Sequence, residues 1–127
     1  MKALIITDGT ESIQSIALLI KDSLTDYITD ICTAENFKGN EVLPSDVFFI
    51  GCSEPSPASF NFIEMMFTHI NFASRKCGVF SLNKKTSKYL LDILKDSEVI
   101  ITEPLLVSDL KELKKADIKK WLKPIIK

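Results

Sequence analysis

Two periodicities alternate along this chain. Short unbroken apolar runs, rich in Ile, Val and Phe, are separated by stretches in which apolar residues recur every three or four positions. The run from Lys2 to Ile6 predicts a strand covered on both faces. After the turn Thr7-Asp8-Gly9-Thr10-Glu11-Ser12, apolar residues at Ile13, Ile16, Ala17, Ile20 and Leu24 mark one face of a helix. Tyr27 to Thr33 is β-rich but less apolar, as an edge strand would be, and Phe37 to Pro44, with Gly39 and Asn40, reads as loop. Asp46 to Gly51 is the most hydrophobic run and predicts a central strand.

The second half continues the alternation. Cys52 to Ser59 is a loop punctuated by Pro55 and Pro57, with Ser56 as a helix N-cap and Pro57 as the first helical residue. The helix that follows is predicted to bury Phe62, Ile63, Met66, Phe67 and Ile70. Cys77 to Leu82 predicts a fourth strand, Asn83 to Thr86 a polar turn, and Ser87 to Lys95 a short helix carrying Leu90, Leu91, Ile93 and Leu94. Glu98 to Thr102 predicts the fifth strand, continued by Leu105 to Val107 beyond Pro104. An amphipathic helix from about Asp109 to Lys123 is expected to stop before Pro124. Strands each followed by a helix or crossing loop imply a parallel sheet with right-handed crossovers: an α/β/α sandwich forming one domain over residues 1–127.

Composition narrows the function classes. At 127 residues the chain can bury a core without metal or disulfide support. Sixteen Lys and Arg against 17 Asp and Glu leave no electrostatic footprint for nucleic acid or an anionic membrane. The basic residues of the last helix are interleaved with Asp109, Glu112 and Asp117, the pattern of a solvated face. The N-terminal apolar run ends at Asp8, too short for a signal peptide or a bilayer span. Three cysteines at unrelated spacings, Cys32, Cys52 and Cys77, argue for a reducing, cytoplasmic setting.

The ordered elements resemble a short-chain flavodoxin over essentially the whole length. The resemblance lies in the Lys2-to-Ile6 strand, the helix ending Ile20-Lys21-Asp22-Ser23-Leu24, and the run Asp46 to Ser53. Glu103 to Asp109 and Asp117 to Trp121 are similar to that family's last strand and closing helix. The resemblance implies a flavodoxin-like five-stranded parallel sheet of order 2-1-3-4-5, with a ligand at the carboxyl edge near strands one, three and four. It further implies an FMN-binding, low-potential electron carrier with redox partner proteins, rather than a catalyst in its own right. The alternative is a flavin-free module that uses the same edge for a protein partner or another small ligand.

By that resemblance the cofactor-binding candidates are Thr7, Asp8, Gly9, Thr10, Glu11, Ser12, Cys52, Ser53, Glu54, Ser81 and Asn83. The first loop departs from the family form Ser/Thr-x-Thr-Gly-x-Thr: it is one residue shorter and carries Asp8 and Glu11 where a phosphate is held. Either Gly9 and the hydroxyls of Thr7, Thr10 and Ser12 cup an oxyanion, or Asp8 or Thr10 N-caps the helix and Glu11 favours its positive end. The aromatics that bracket a flavin ring are reduced to Phe60 in the loop after strand three and Tyr89 near the start of the Ser87-to-Lys95 helix. Trp121 reads as core packing and His69 as a structural side chain. Cys52 is a candidate thiol at the ligand edge, Asp8 with Glu54 a candidate carboxylate pair, and Lys84-Lys85 a candidate anion attractor. No third ligand accompanies the carboxylates, so no metal site and no catalytic residue is assigned.

Overall fold

The computed structural model describes residues 1–38 and 44–126. The elements are β1 (Lys2–Thr7), α1 (Glu11–Ser23), β2 (Ile28–Thr33), β3 (Val47–Cys52), α2 (Asn61–His69), β4 (Lys76–Ser81), α3 (Lys84–Leu94), β5 (Ile100–Ile101), β6 (Leu105–Leu106) and α4 (Lys115–Ile126). The expected loop between Phe37 and Pro44 lies largely outside the described residues.

The strands pair in parallel in the order β2-β1-β3-β4-β5, with β6 also on β4. This is the order expected from the sequence. Strands β5 and β6 are two halves of one edge: Ile100 and Ile101 pair with Lys76 and Cys77, and Leu105 and Leu106 with Phe80 and Ser81. Pro104 lies in the gap, where a residue without an N–H cannot join a ladder.

Period-two alternation sorts the strand side chains into two cores. Leu4, Ile6, Phe48, Ile50 and Val79 face α2 and α3, meeting Ile63, Met66, Phe67, Leu90 and Leu94. Ala3, Ile5, Val47, Phe49 and Phe80 face α1 and α4, meeting Ile13, Ile16, Ile20, Ile118, Leu122 and Ile125. Both faces of β1 and β3 are covered, which explains their unbroken apolar sequences. Phe48 stacks on Phe67 with ring centroids 5.8 Å apart. Two glycines make room for large rings across one strand pair: Phe49 lies over Gly78, and Phe80 over Gly51.

Several boundaries differ from the sequence expectation. Ser56 does not cap α2. Its φ of 49° is left-handed, whereas an N-cap needs an extended residue, and a 3₁₀ turn at Ala58–Phe60 leads into the helix. Phe62 is 42% exposed and Ile70 lies beyond the helix end, so neither belongs to the fully buried stripe. The expected polar turn Asn83 to Thr86 is instead the start of α3, because the Asn83 side chain accepts from the Thr86 N–H and nucleates the first turn. The last helix is also displaced. Leu110–Glu112 forms a separate 3₁₀ turn, and Leu113, with ψ of 123°, breaks the path before α4. Helix α4 then runs through Pro124 to Ile126. A proline so near the end removes a single helical bond, and burial of Ile125 in the α1–α4 core outweighs that loss.

Candidate functional site

Because the sheet is parallel, β1, β3 and β4 end at one edge, with Cys52 opposite Ser81 in register. Three short connections leave there: residues 8–10, residues 53–57, and the pair Leu82 and Asn83. The first connection turns sharply at Gly9, whose φ of 81° is unfavourable for any residue with a Cβ. It aims the N-terminus of the 13-residue α1 at the edge.

Asp8 organises this corner. Its Oδ1 accepts from the Thr10 N–H at 3.1 Å and the Thr10 hydroxyl at 2.6 Å. Its Oδ2 accepts from the Ser53 N–H and the Ser53 hydroxyl, both at 2.8 Å. The carboxylate therefore ties the β1–α1 turn to the loop after β3. Burial raises the pKa of Asp8, but the hydrogen bonds from Thr10 and Ser53 outweigh it and hold the group below the usual carboxylate range. Asp8 is ionised at neutral pH.

This geometry corrects the capping expectation. Thr10 occupies the N-cap position, but neither it nor Asp8 accepts from the helix with its side chain. The Thr10 hydroxyl is turned to Asp8 instead. No partner for the N–H groups of Glu11 and Ser12 is found among the described residues, which leaves the positive end of α1 open.

The other sequence-predicted residues divide by accessibility. Thr7 is fully buried; its hydroxyl donates to Gln14 Oε1 and accepts from the Gly9 N–H. Ser81 is also fully buried, donating to the Asn83 carbonyl and sharing a hydrogen bond with the Ser87 hydroxyl. Both brace the edge from beneath. Asn83 is exposed, but its side-chain oxygen takes the Thr86 N–H and hydroxyl. Gly9, Glu11 and Glu54 are exposed, and Ser12 and Ser53 are half-buried. Lys84 and Lys85 lie exposed in the first turn of α3 rather than in a loop.

Cys52 is fully buried and its thiol donates to the Glu54 carbonyl at 3.3 Å. Burial, reinforced by the charges of Asp8 and Glu54, pushes its pKa up to about 12, so it carries no thiolate at neutral pH. Ser53, not Glu54, is the residue of this loop whose hydrogen bonds to Asp8 the structure shows. No three acidic, His or Cys side chains converge as a metal-binding group among the described residues.

The aromatic candidates are committed elsewhere. Phe60 is fully buried beneath Tyr89, with centroids 6.5 Å apart. The Tyr89 hydroxyl donates to Glu64, and burial and that carboxylate raise its pKa. His69 is exposed at the end of α2, its Nδ1 near the Thr68 hydroxyl and the Met65 carbonyl. Trp121 packs on Phe49 at 5.7 Å and donates to the Glu103 carbonyl, and it also borders a groove of about 280 Å³ with Thr102, Pro104 and Lys120. Nothing in the residue pattern points to that groove; it depends on the gap between β5 and β6.

The donor set can be weighed against FMN. The open N–H groups of α1 suit an anion, contributing about 0.3–1 kcal/mol through the helix dipole. An ionised carboxylate at contact distance from a phosphate opposes it by roughly 4 kcal/mol at a surface-like dielectric. The charge of Asp8 and its hold on the Thr10 and Ser53 donors therefore weigh against a phosphate at this turn, and bear on the uncharged parts of a flavin much less. Sequence reasoning flags Asp8 as an anomaly but does not find its partner Ser53, which lies 45 positions away.

Comparison with known proteins agrees with the architecture. No family model and no curated sequence matches the chain. Among solved structures, a short-chain flavodoxin associated with a non-canonical PDU bacterial microcompartment superposes with a TM-score of 0.84 at 12% identity, over 99% of this chain and 97% of that one. Oxidised flavodoxin 2 from Bacillus cereus gives 0.80 at 22% identity, over 99% and 96%. The Streptococcus pneumoniae flavodoxin gives 0.77 at 14% identity, over 98% and 96%. With the strand order and the α/β/α layering, these matches establish that the chain has a flavodoxin-like, short-chain fold.

Proposed function

We propose that this protein is a flavin-binding electron carrier of the flavodoxin type, passing electrons to and from redox partner proteins. FMN is the cofactor that the fold likeness suggests, and a flavin supplies one- and two-electron chemistry when bound. The observation that carries the reading is the open N-terminus of α1 at the same edge where β3 and β4 end. Glu11 and Ser12 would offer main-chain donors to the polar groups of the flavin, Ser12 a free hydroxyl, and the segments around Ser53, Glu54 and Asn83 would flank the ring. With Phe60 and Tyr89 committed to the core, ring contacts would fall mainly to backbone.

A second reading has its own support. A flavin-free module would explain why Asp8 closes the corner with an internal carboxylate and why no aromatic side chain from Phe60 or Tyr89 is left free at the edge.

The test is the visible absorbance spectrum of the purified protein, before and after incubation with FMN or riboflavin and removal of excess by gel filtration. The carrier reading expects a flavin band that co-elutes with the protein and bleaches reversibly on reduction. A protein that stays colourless with both flavins would sink it and leave the flavin-free module.

A further inference from the structure

We infer that the corner built by Asp8, Thr10 and Ser53 selects a flavin lacking the phosphate, riboflavin, over FMN. The inference rests on the flavin-binding reading above and refines the ligand class at that edge. Two observations carry it.

First, the donors that converge at this corner already have an anion. Four hydrogen bonds, two from Thr10 and two from Ser53, end on the one carboxylate of Asp8. The hydroxyl of Thr7 is buried and bonded to Gln14, so it cannot replace them for a ligand. An arriving phosphate would therefore find the Thr10 and Ser53 donors taken by a group of its own sign, leaving it the Ser12 hydroxyl and the open N–H groups of α1.

Second, the residual charge is unfavourable. The open end of α1 is equivalent to about half a positive charge. Asp8 brings a full negative charge to the turn, and Glu11 adds another in the first turn of the helix. Among the described residues no side chain of opposite charge donates to Asp8; all four hydrogen bonds come from the neutral groups of Thr10 and Ser53. Lys84 and Lys85 are exposed on the first turn of α3, and neither is among the hydrogen-bond donors to Asp8. The net sign at the corner is negative.

The ring and the hydroxylated chain are common to riboflavin and FMN. Any weakness in ring stacking therefore affects both ligands alike, and the ratio of their affinities isolates the phosphate. The uncharged chain of riboflavin would meet the open N–H groups of Glu11 and Ser12 without repulsion.

Equilibrium dialysis of the protein against riboflavin and FMN in parallel measures this ratio. The inference expects riboflavin to bind at least tenfold more tightly than FMN in low salt. It expects the ratio to narrow in high salt, because screening weakens only the charged ligand's repulsion. Asp8→Asn removes the charge from the corner and is expected to lower the riboflavin-to-FMN affinity ratio by tenfold or more, whatever it does to the two affinities together. The salt series uses the unmodified protein and so holds even if the variant folds poorly. Equal or tighter binding of FMN in low salt would overturn the inference and leave the flavin reading intact. Binding of neither flavin would overturn both.

Discussion

Replacing Gly51 with alanine is expected to lower the stability of the fold by about 3 kcal/mol. A Cβ at position 51 would meet three atoms of the Phe80 ring at 2.4 to 2.5 Å. That ring is fully buried in the core that α1 and α4 close, so it cannot move aside without disturbing its neighbours. The strain would spread to Cys52 and Ser53, the residues that carry β3 to the ligand edge. Urea unfolding checks the expectation. With a slope near 1.5 kcal/mol per molar, the midpoint would fall by about 2 M. A double variant that also carries Phe80→Leu should recover much of the loss, because the two positions share one space. A midpoint within about 0.3 M of the unmodified protein would mean that the ring does not lie over Gly51.

The second large effect is at Asp8. Asp8→Ala removes the acceptor of four hydrogen bonds and leaves the Ser53 N–H without its partner. Hydrogen bonds to a charged group each contribute more than neutral ones, but the side chain is only half-buried, so the expected cost is about 2 kcal/mol. Its pH dependence follows from the depressed pKa. The folded value lies below the 3.8 of the free side chain, so the folded state holds its proton more weakly. The contribution of Asp8 is then fully present above about pH 5, and is lost as pH falls through 3.8 and the lower folded value. The stability gap between the unmodified protein and Asp8→Ala should be constant from about pH 6 to 8 and close in acid. A gap that widened in acid would mean that Asp8 is protonated in the folded state.

The architecture is legible in the sequence because its signals are local. The unbroken apolar runs at β1 and β3, and the i, i+3, i+4 pattern of Ile13, Ile16, Ala17 and Ile20, reflect coverage on two faces and on one. The break at Pro104 is visible for the same reason: a missing N–H is a property of one residue. Sequence and structure part where a nonlocal contact overrides a local preference. Pro124 would end an isolated helix, yet packing of Ile125 carries the backbone past it. Asn83 looks like part of a turn because its role depends on which backbone N–H it reaches.

The site is legible in part. Asp8 stands out as a charge in the wrong place for a phosphate, which needs no structure to see. Its actual role requires Ser53, brought alongside by the parallel pairing of β1 with β3. Thr7 and Ser81 look like ligand hydroxyls in sequence, and only burial reveals that Gln14 and Ser87 hold them. Cys52 likewise looks reactive at a strand end until its enclosure and the neighbouring carboxylates are seen to keep it a thiol.

The most direct test of the central claim is an amide chemical-shift map of the isotopically labelled protein titrated with riboflavin. The account predicts shifts concentrated at Glu11, Ser12, Ser53, Glu54, Leu82 and Asn83, the ends of β1, β3 and β4 and the start of α1. Shifts centred on Thr102, Lys120 and Trp121, at the groove beside α4, or no shifts at all, would contradict it.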